Sequence, residues 1–175
     1  MNGLGAISLR DYIRDVPDFP KPGIIFKDIT PLLADGDAFS AAISGLSCFV
    51  PQGVDVIVGV ESRGFIFGAA LAQQMGLGMV PVRKPGKLPA DVHAVDYELE
   101  YGMDRLEIHK DSLSGGHKVV IVDDLLATGG TARATVDLVQ ALGARVVACL
   151  FVIELGFLKG RDRLGDVPVS SLITY

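Results

Sequence analysis

The sequence predicts an α/β fold, a doubly wound and mainly parallel sheet flanked by helices, and three observations carry that expectation. Apolar, β-branched runs alternate with stretches of helical periodicity. The strongest run ends in adjacent carboxylates and a glycine-rich loop, at the place where such sheets bind ligands. No internal repeat, low-complexity tract or linker interrupts the 175 residues, so a single domain over residues 1–175 is expected.

The runs at 55–60 (DVIVGV), 117–124 (HKVVIVDD) and 145–153 (RVVACLFVI) read as parallel strands buried on both faces. The run at 78–83 (GMVPVR) contains Pro81, which cannot donate to a ladder, and so belongs at an edge or a strand end. Between the runs, Phe39, Ile43, Leu46 and Val50 recur at helical spacing, as do Phe67, Leu71 and Met75. Val136, Val139 and Leu142 do the same ahead of a stop at Gly143. Residues 17–31 (PDFPKPGIIFKDITP) are dense in proline and are expected as ordered irregular structure, neither helix nor central strand. Residues 96–110 (DYELEYGMDRLEIHK) alternate around Tyr101-Gly102-Met103-Asp104 as a hairpin does. A polar hairpin inserted into an α/β domain is a candidate flexible lid.

Composition removes several classes of function. A formal charge of -5, from 21 acidic against 16 basic residues, leaves no basic excess for a polyphosphate backbone, so no nucleic-acid partner is expected. Cys48 and Cys149 lie far apart without C-x-x-C spacing, which argues against a disulfide framework or a zinc site and reads as two buried thiols in a reducing compartment. The first fifteen or so residues carry charge too early for a secretory h-region, and no apolar run approaches bilayer length. A soluble, cytoplasmic protein without a membrane partner is expected.

Residues 119–131 (VVIVDDLLATGGT) carry the chemistry. A buried strand ends at Asp123 and Asp124, and the small residues Ala127, Thr128, Gly129, Gly130 and Thr131 then open a helix. Backbone N–H groups at a helix start, bared by glycine, form an anion site suited to a phosphate. The carboxylates beside it suit neutral hydroxyls or a hydrated metal, so the pair describes a pocket for ribose 5-phosphate. Neither G-x-x-x-x-G-K-[ST] nor a strand-borne G-x-G-x-x-G is present, which removes the P-loop and dinucleotide classes.

This string resembles the phosphoribosyl pyrophosphate motif of the type I phosphoribosyltransferases, and further segments resemble the members of that family that act on adenine. Residues 17–33 (PDFPKPGIIFKDITPLL) look like their base-recognition segment, 61–68 (ESRGFIFG) like their pyrophosphate loop, 83–89 (RKPGKLP) like the basic stretch that follows, and 99–111 (LEYGMDRLEIHKD) like their mobile lid. The resemblance implies a type I phosphoribosyltransferase fold, with residues 1–34 forming a small N-terminal hood and residues 96–110 the hairpin lid. It implies a glycosyltransferase, specifically a pentosyltransferase of purine salvage, that converts adenine and phosphoribosyl pyrophosphate to AMP and pyrophosphate, and an expected homodimer.

By the same resemblance, Ile25, Phe26, Lys27 and Leu125 surround adenine, with backbone groups of Ile25 and Lys27 reading its edge. Ser62, Arg63, Arg83, Lys84, Lys87 and Tyr101 receive pyrophosphate; guanidinium groups can take its oxygens in bidentate fashion. Asp123 and Asp124 hold the ribose hydroxyls, and residues 127–131 hold the 5-phosphate. Glu100 handles the purine proton, which makes Glu100, Arg83, Asp123 and Asp124 the expected catalytic set. Mg2+ is the expected cofactor, held mainly by substrate and water and not directly by the protein. Lys27 stands where many members have Arg, and Pro85 where some carry a second basic residue, which withdraws position 85 from pyrophosphate binding. Two alternatives remain: a phosphoribosyltransferase for another purine, such as xanthine or hypoxanthine, and a non-catalytic sensor of phosphoribosyl pyrophosphate or a nucleotide.

Overall fold

The computed structural model describes residues 7–99 and 102–175, and the chain forms two compact units that divide between Gly45 and Leu46. In the first unit, β1 (Arg14–Pro17) pairs antiparallel with β2 (Ile25–Asp28), placing Val16 opposite Phe26 and Pro17 opposite Ile25. This corrects the expectation of irregular structure over residues 17–31. A two-stranded ribbon tolerates the prolines because Pro17 ends one strand, Pro20 and Pro22 lie in the connection, and Pro31 enters the first turn of a helix, where its missing N–H has no intrahelical partner to lose.

That helix is α1 (Thr30–Ala34), whose entry is tied by Asp28 accepting from both the N–H and the hydroxyl of Thr30 at 2.9 and 2.8 Å. The next, α2 (Gly36–Ser47), begins where Asp35 Oδ1 accepts the N–H groups of Asp37 and Ala38 at 3.1 and 2.8 Å, an aspartate cap for otherwise orphaned donors. Cys48 follows it and is exposed, not buried as its composition class suggested; a helix end at the surface decides its environment. Cys149 is buried, and loss of solvation pushes its thiol up to about 12.

The second unit holds β3 (Val56–Val60), α3 (Gly64–Met75), β4 (Gly78–Val82), β5 (Val92–Leu99), β6 (Gly102–His109), β7 (Lys118–Leu126), α4 (Gly130–Ala141), β8 (Arg145–Glu154) and β9 (Val169–Thr174). Five strands form one parallel sheet in the order β4-β3-β7-β8-β9. The three predicted central strands occupy its middle, and the run containing Pro81 is an edge strand, as expected. The other edge, β9, has a half-buried VSSLIT sequence that gives no strong strand signal.

Strand periodicity divides the core. Val56, Val58, Val60, Val119, Ile121, Cys149 and Phe151 pack with Val136, Leu138 and Val139 of α4. The alternate residues Ile57, Val120, Val122, Leu150 and Val152 are equally buried but belong to the opposite face, where α3 packs over β3, β4 and β7. Helices on both faces explain why these strands read as continuous apolar runs.

The hairpin runs from Val92 opposite His109 to Leu99 opposite Gly102. Positions 100–101 lie outside the described residues, and Met103 and Asp104 are ladder residues, not turn residues as the alternation had suggested. Tyr97, Leu106 and Ile108 belong to the buried core on the α4 face. The base of the hairpin is thus part of the packed interior.

Candidate active site

At the carboxyl edge of the sheet a cavity of about 250 Å³ opens between β3 and β7. Strand order diverges at this point, since β4 continues outward from β3 and β8 from β7, and diverging connections leave a crevice at the strand ends. The end of β3 and the turn into α3 supply Glu61, Ser62 and Arg63. The end of β7 supplies Asp123 to Leu126, and the following loop and first turn of α4 supply Ala127 to Ala132. Lys84, Tyr97 and Phe151 complete the wall.

Two glycines explain how these segments come so close. A Cβ on Gly64 would lie 2.8 Å from both Asp123 Oδ1 and the Val122 carbonyl, so only glycine lets the first turn of α3 rest against the carboxylate end of β7. Gly129, the residue before α4, has φ 83° and ψ 1°, and a Cβ there would run into the Gly160 carbonyl. The loop is held by backbone packing, which leaves the N–H groups at the start of α4 bare toward the cavity.

The carboxylates are electrostatically tense. Asp124 is buried and Asp123 half-buried, and Asp123 Oδ1 accepts the Asp124 N–H at 2.9 Å. Loss of solvation pushes both carboxyls above the ordinary range, and Asp123 is raised further by the charge of Asp124. Arg63 opposes this, its Nε lying 3.0 Å from Asp124 Oδ2. That approach is an ion pair by distance but is not aligned as a hydrogen bond, so Asp124 Oδ2 remains a buried oxygen with unused hydrogen-bonding capacity.

The basic residues are held by internal carboxylates. Glu61 Oε1 accepts from Arg83 Nη2 at 3.2 Å and Lys87 Nζ at 2.6 Å, while Oε2 accepts from Arg83 Nε at 3.3 Å and the Lys84 N–H at 2.8 Å. Burial pushes Glu61 up, but Lys87, the Lys84 N–H and Arg83 together outweigh it and hold its carboxyl at about 2. Lys84 forms an ion pair with Asp104 of the hairpin; burial alone would lower its pKa, but the carboxylate wins and raises it. Tyr97 joins these parts, its hydroxyl donating to Asp104 Oδ2 at 3.1 Å and lying 3.4 Å from Thr131 Oγ1.

The structure therefore brings Ser62, Arg63, Lys84, Asp123, Asp124, Leu125 and residues 127–131 to one cavity. Arg83 and Lys87 are not in its wall but are tied to Glu61, which is. Ile25, Phe26 and Lys27 lie on β2 of the first unit: Ile25 is exposed, Phe26 meets Phe19 edge to face at 5.2 Å, and buried Lys27 pairs with Asp15 at 2.6 Å. Glu100 and Tyr101 lie outside the described residues. Sequence reasoning missed Glu61 and Tyr97. Glu61 stood unused beside Ser62 and Arg63 in the same loop, and Tyr97 shares the inward face of β5 with Val95 at strand spacing.

A crevice at a strand-order switch, two strand-end carboxylates and a bared helix start define a sugar-phosphate binding class, and the chain belongs to the phosphoribosyltransferase family: the phosphoribosyl transferase domain model matches residues 26–173. Adenine phosphoribosyltransferase of Synechococcus sp. is 57% identical over 170 residues, covering 97% of this chain and 99% of that protein. The crystal structure of adenine phosphoribosyltransferase from Thermoanaerobacter pseudethanolicus superposes with a TM-score of 0.93 at 53% identity, covering 95% of this chain and 98% of that one. The Saccharomyces cerevisiae enzyme, complexed with an imino-altritol bisphosphate and adenine, superposes with a TM-score of 0.89 at 44% identity, covering 94% and 96%.

Proposed function

We propose that this chain transfers the 5-phosphoribosyl group of phosphoribosyl pyrophosphate to adenine, releasing AMP and pyrophosphate in purine salvage. The observation that carries the reading is the strand-end cavity, where paired carboxylates face the bare backbone of a helix start, in a chain whose close relatives are adenine phosphoribosyltransferases.

The chemistry follows from the parts. The N–H groups of residues 127–131 hold the 5-phosphate, and that remote contact positions the anomeric carbon. Asp123 and Asp124 accept hydrogen bonds from the ribose hydroxyls and favour the positive charge that grows on the sugar as the bond to pyrophosphate breaks. Arg63, Lys84 and the Glu61-held Arg83 and Lys87 face the departing polyanion, with Ser62 and Tyr101 completing its contacts. Adenine N9 forms the new bond to the anomeric carbon, while Glu100 assists removal of the imidazole-ring proton. Ile25, Phe26 and Lys27 of β2 are the proposed base-recognition residues, Ile25 and Lys27 through their backbone groups.

Bound Mg2+ would neutralise charge on the pyrophosphate leaving group. Asp124 Oδ2, buried and without a hydrogen bond, fits a role as acceptor for a ribose hydroxyl or a metal-bound water. The active form is proposed to be a cytoplasmic homodimer. Among the described residues no helix is long and apolar enough to cross a membrane.

A calorimetric titration tests the site assignment. AMP is expected to bind while adenosine, lacking the 5-phosphate, loses most of the affinity; equal binding of the two would place the phosphate outside residues 127–131.

A further inference from the structure

We propose that Glu61 is a built-in competitor of pyrophosphate: its carboxylate occupies Arg83 and Lys87 of the 83–87 loop, and the polyanion must displace it to bind. The inference rests on the reading that this loop receives pyrophosphate, and it assigns that subsite a regulator of its affinity.

The geometry supports an anion mimic. Both Glu61 oxygens are saturated by the donors a phosphate would want, two from Arg83, one from Lys87 and one backbone N–H from Lys84. This is the fork that two phosphate oxygens would otherwise fill. The Glu61 side chain is only 8% exposed and lines the cavity, while its partners Arg83 and Lys87 are 32% and 49% exposed, so a polyanion arriving from solvent can reach the cations that Glu61 holds. With its carboxyl held at about 2, the group is charged at neutral pH.

A second anchor separates this role from mere scaffolding. Glu107 Oε2 accepts the Gly86 N–H at 3.0 Å, and the Arg83 and Glu107 backbones exchange two hydrogen bonds at 2.8 and 2.9 Å. The loop is therefore shaped from the hairpin side without the charge of Glu61. Neutralising Glu61 releases Arg83 Nε and Nη2 and Lys87 Nζ from a competing charge, while Arg83 Nη1 still donates to the Lys87 carbonyl at 3.2 Å and the loop stays in place. An internal competitor lowers affinity for the product and so favours its release, a step that often limits turnover.

The test is calorimetric titration of inorganic pyrophosphate, with Mg2+ present, into folded wild-type, Glu61→Gln, Glu61→Asp and Lys87→Met proteins. Glu61→Gln is expected to bind roughly three- to tenfold tighter than wild type, the scale of one partly desolvated ion pair released to a ligand. Glu61→Asp keeps the charge and is expected to stay within about twofold of wild type. Weaker or equal binding by Glu61→Gln, with Lys87→Met weakened, leaves the pyrophosphate subsite standing and overturns the competitor role, as does equal tightening by Gln and Asp. Unchanged binding by Lys87→Met would remove the loop from the pyrophosphate subsite, and the proposal with it.

Discussion

Asp123 costs the folded protein stability in return for its position. Its carboxyl is raised by burial and by Asp124, so the folded state holds the proton more tightly than the unfolded chain. A raised carboxyl contributes no penalty below its unfolded value near 3.8, and the penalty grows as pH climbs through the folded value. Asp123→Asn is therefore expected to be more stable than wild type at neutral pH by about 1 kcal/mol, with the gap closing toward acid, while turnover falls. Thermal melts across pH check it; a variant less stable at pH 7, or one of wild-type activity, would contradict the account. Gly129 carries the opposite kind of constraint. Its positive φ and its approach to the Gly160 carbonyl mean that Gly129→Ala should lose about 1–3 kcal/mol and also bind phosphoribosyl pyrophosphate more weakly. A denaturant midpoint equal to wild type would show that the loop has room the structure denies it. The carboxylates and the glycines were legible in sequence because local spacing defines them. Glu61 was not, because its partners Arg83 and Lys87 lie 22 and 26 residues away and only the parallel pairing of β3 with β4 brings them together.

Among the elements, the hairpin unites opposing demands. Tyr97, Leu106 and Ile108 anchor its base in the core on the α4 face, so any closure proposed for the 96–110 lid has to leave that base packed. Hydrogen exchange should show strong protection at Leu106 and Ile108 with or without substrate analogues, and ligand-dependent protection near positions 100–103. Glu100→Gln should keep nucleotide affinity and lose on the order of a hundredfold in the chemical step. Uniform protection of the whole hairpin, together with wild-type turnover by Glu100→Gln, would dismiss both the lid and the proton role. The buried strands β3, β7 and β8 could be read from sequence because both of their faces are apolar. β9 could not, since its two serines and half-buried register mimic a loop, and β1 with β2 was hidden by prolines whose positions at a strand end and in a connection only the pairing reveals.

At the scale of the molecule, net charge, sheet order and cavity position act together. The chain is acidic overall, yet Arg63, Arg83, Lys84 and Lys87 gather at the carboxyl edge of the sheet, each beside a carboxylate. The arrangement makes a local anion site that depends on placement, not on net charge, which is why composition argued against a nucleic-acid partner but could not locate the pocket. The most direct test of the central claim is incubation with phosphoribosyl pyrophosphate, Mg2+ and each of adenine, hypoxanthine, guanine and xanthine, with products identified by mass. AMP and pyrophosphate should accumulate one for one with adenine and not with the 6-oxopurines. Turnover of hypoxanthine or xanthine in preference to adenine would contradict the base assignment, and binding of phosphoribosyl pyrophosphate without any product would contradict catalysis itself.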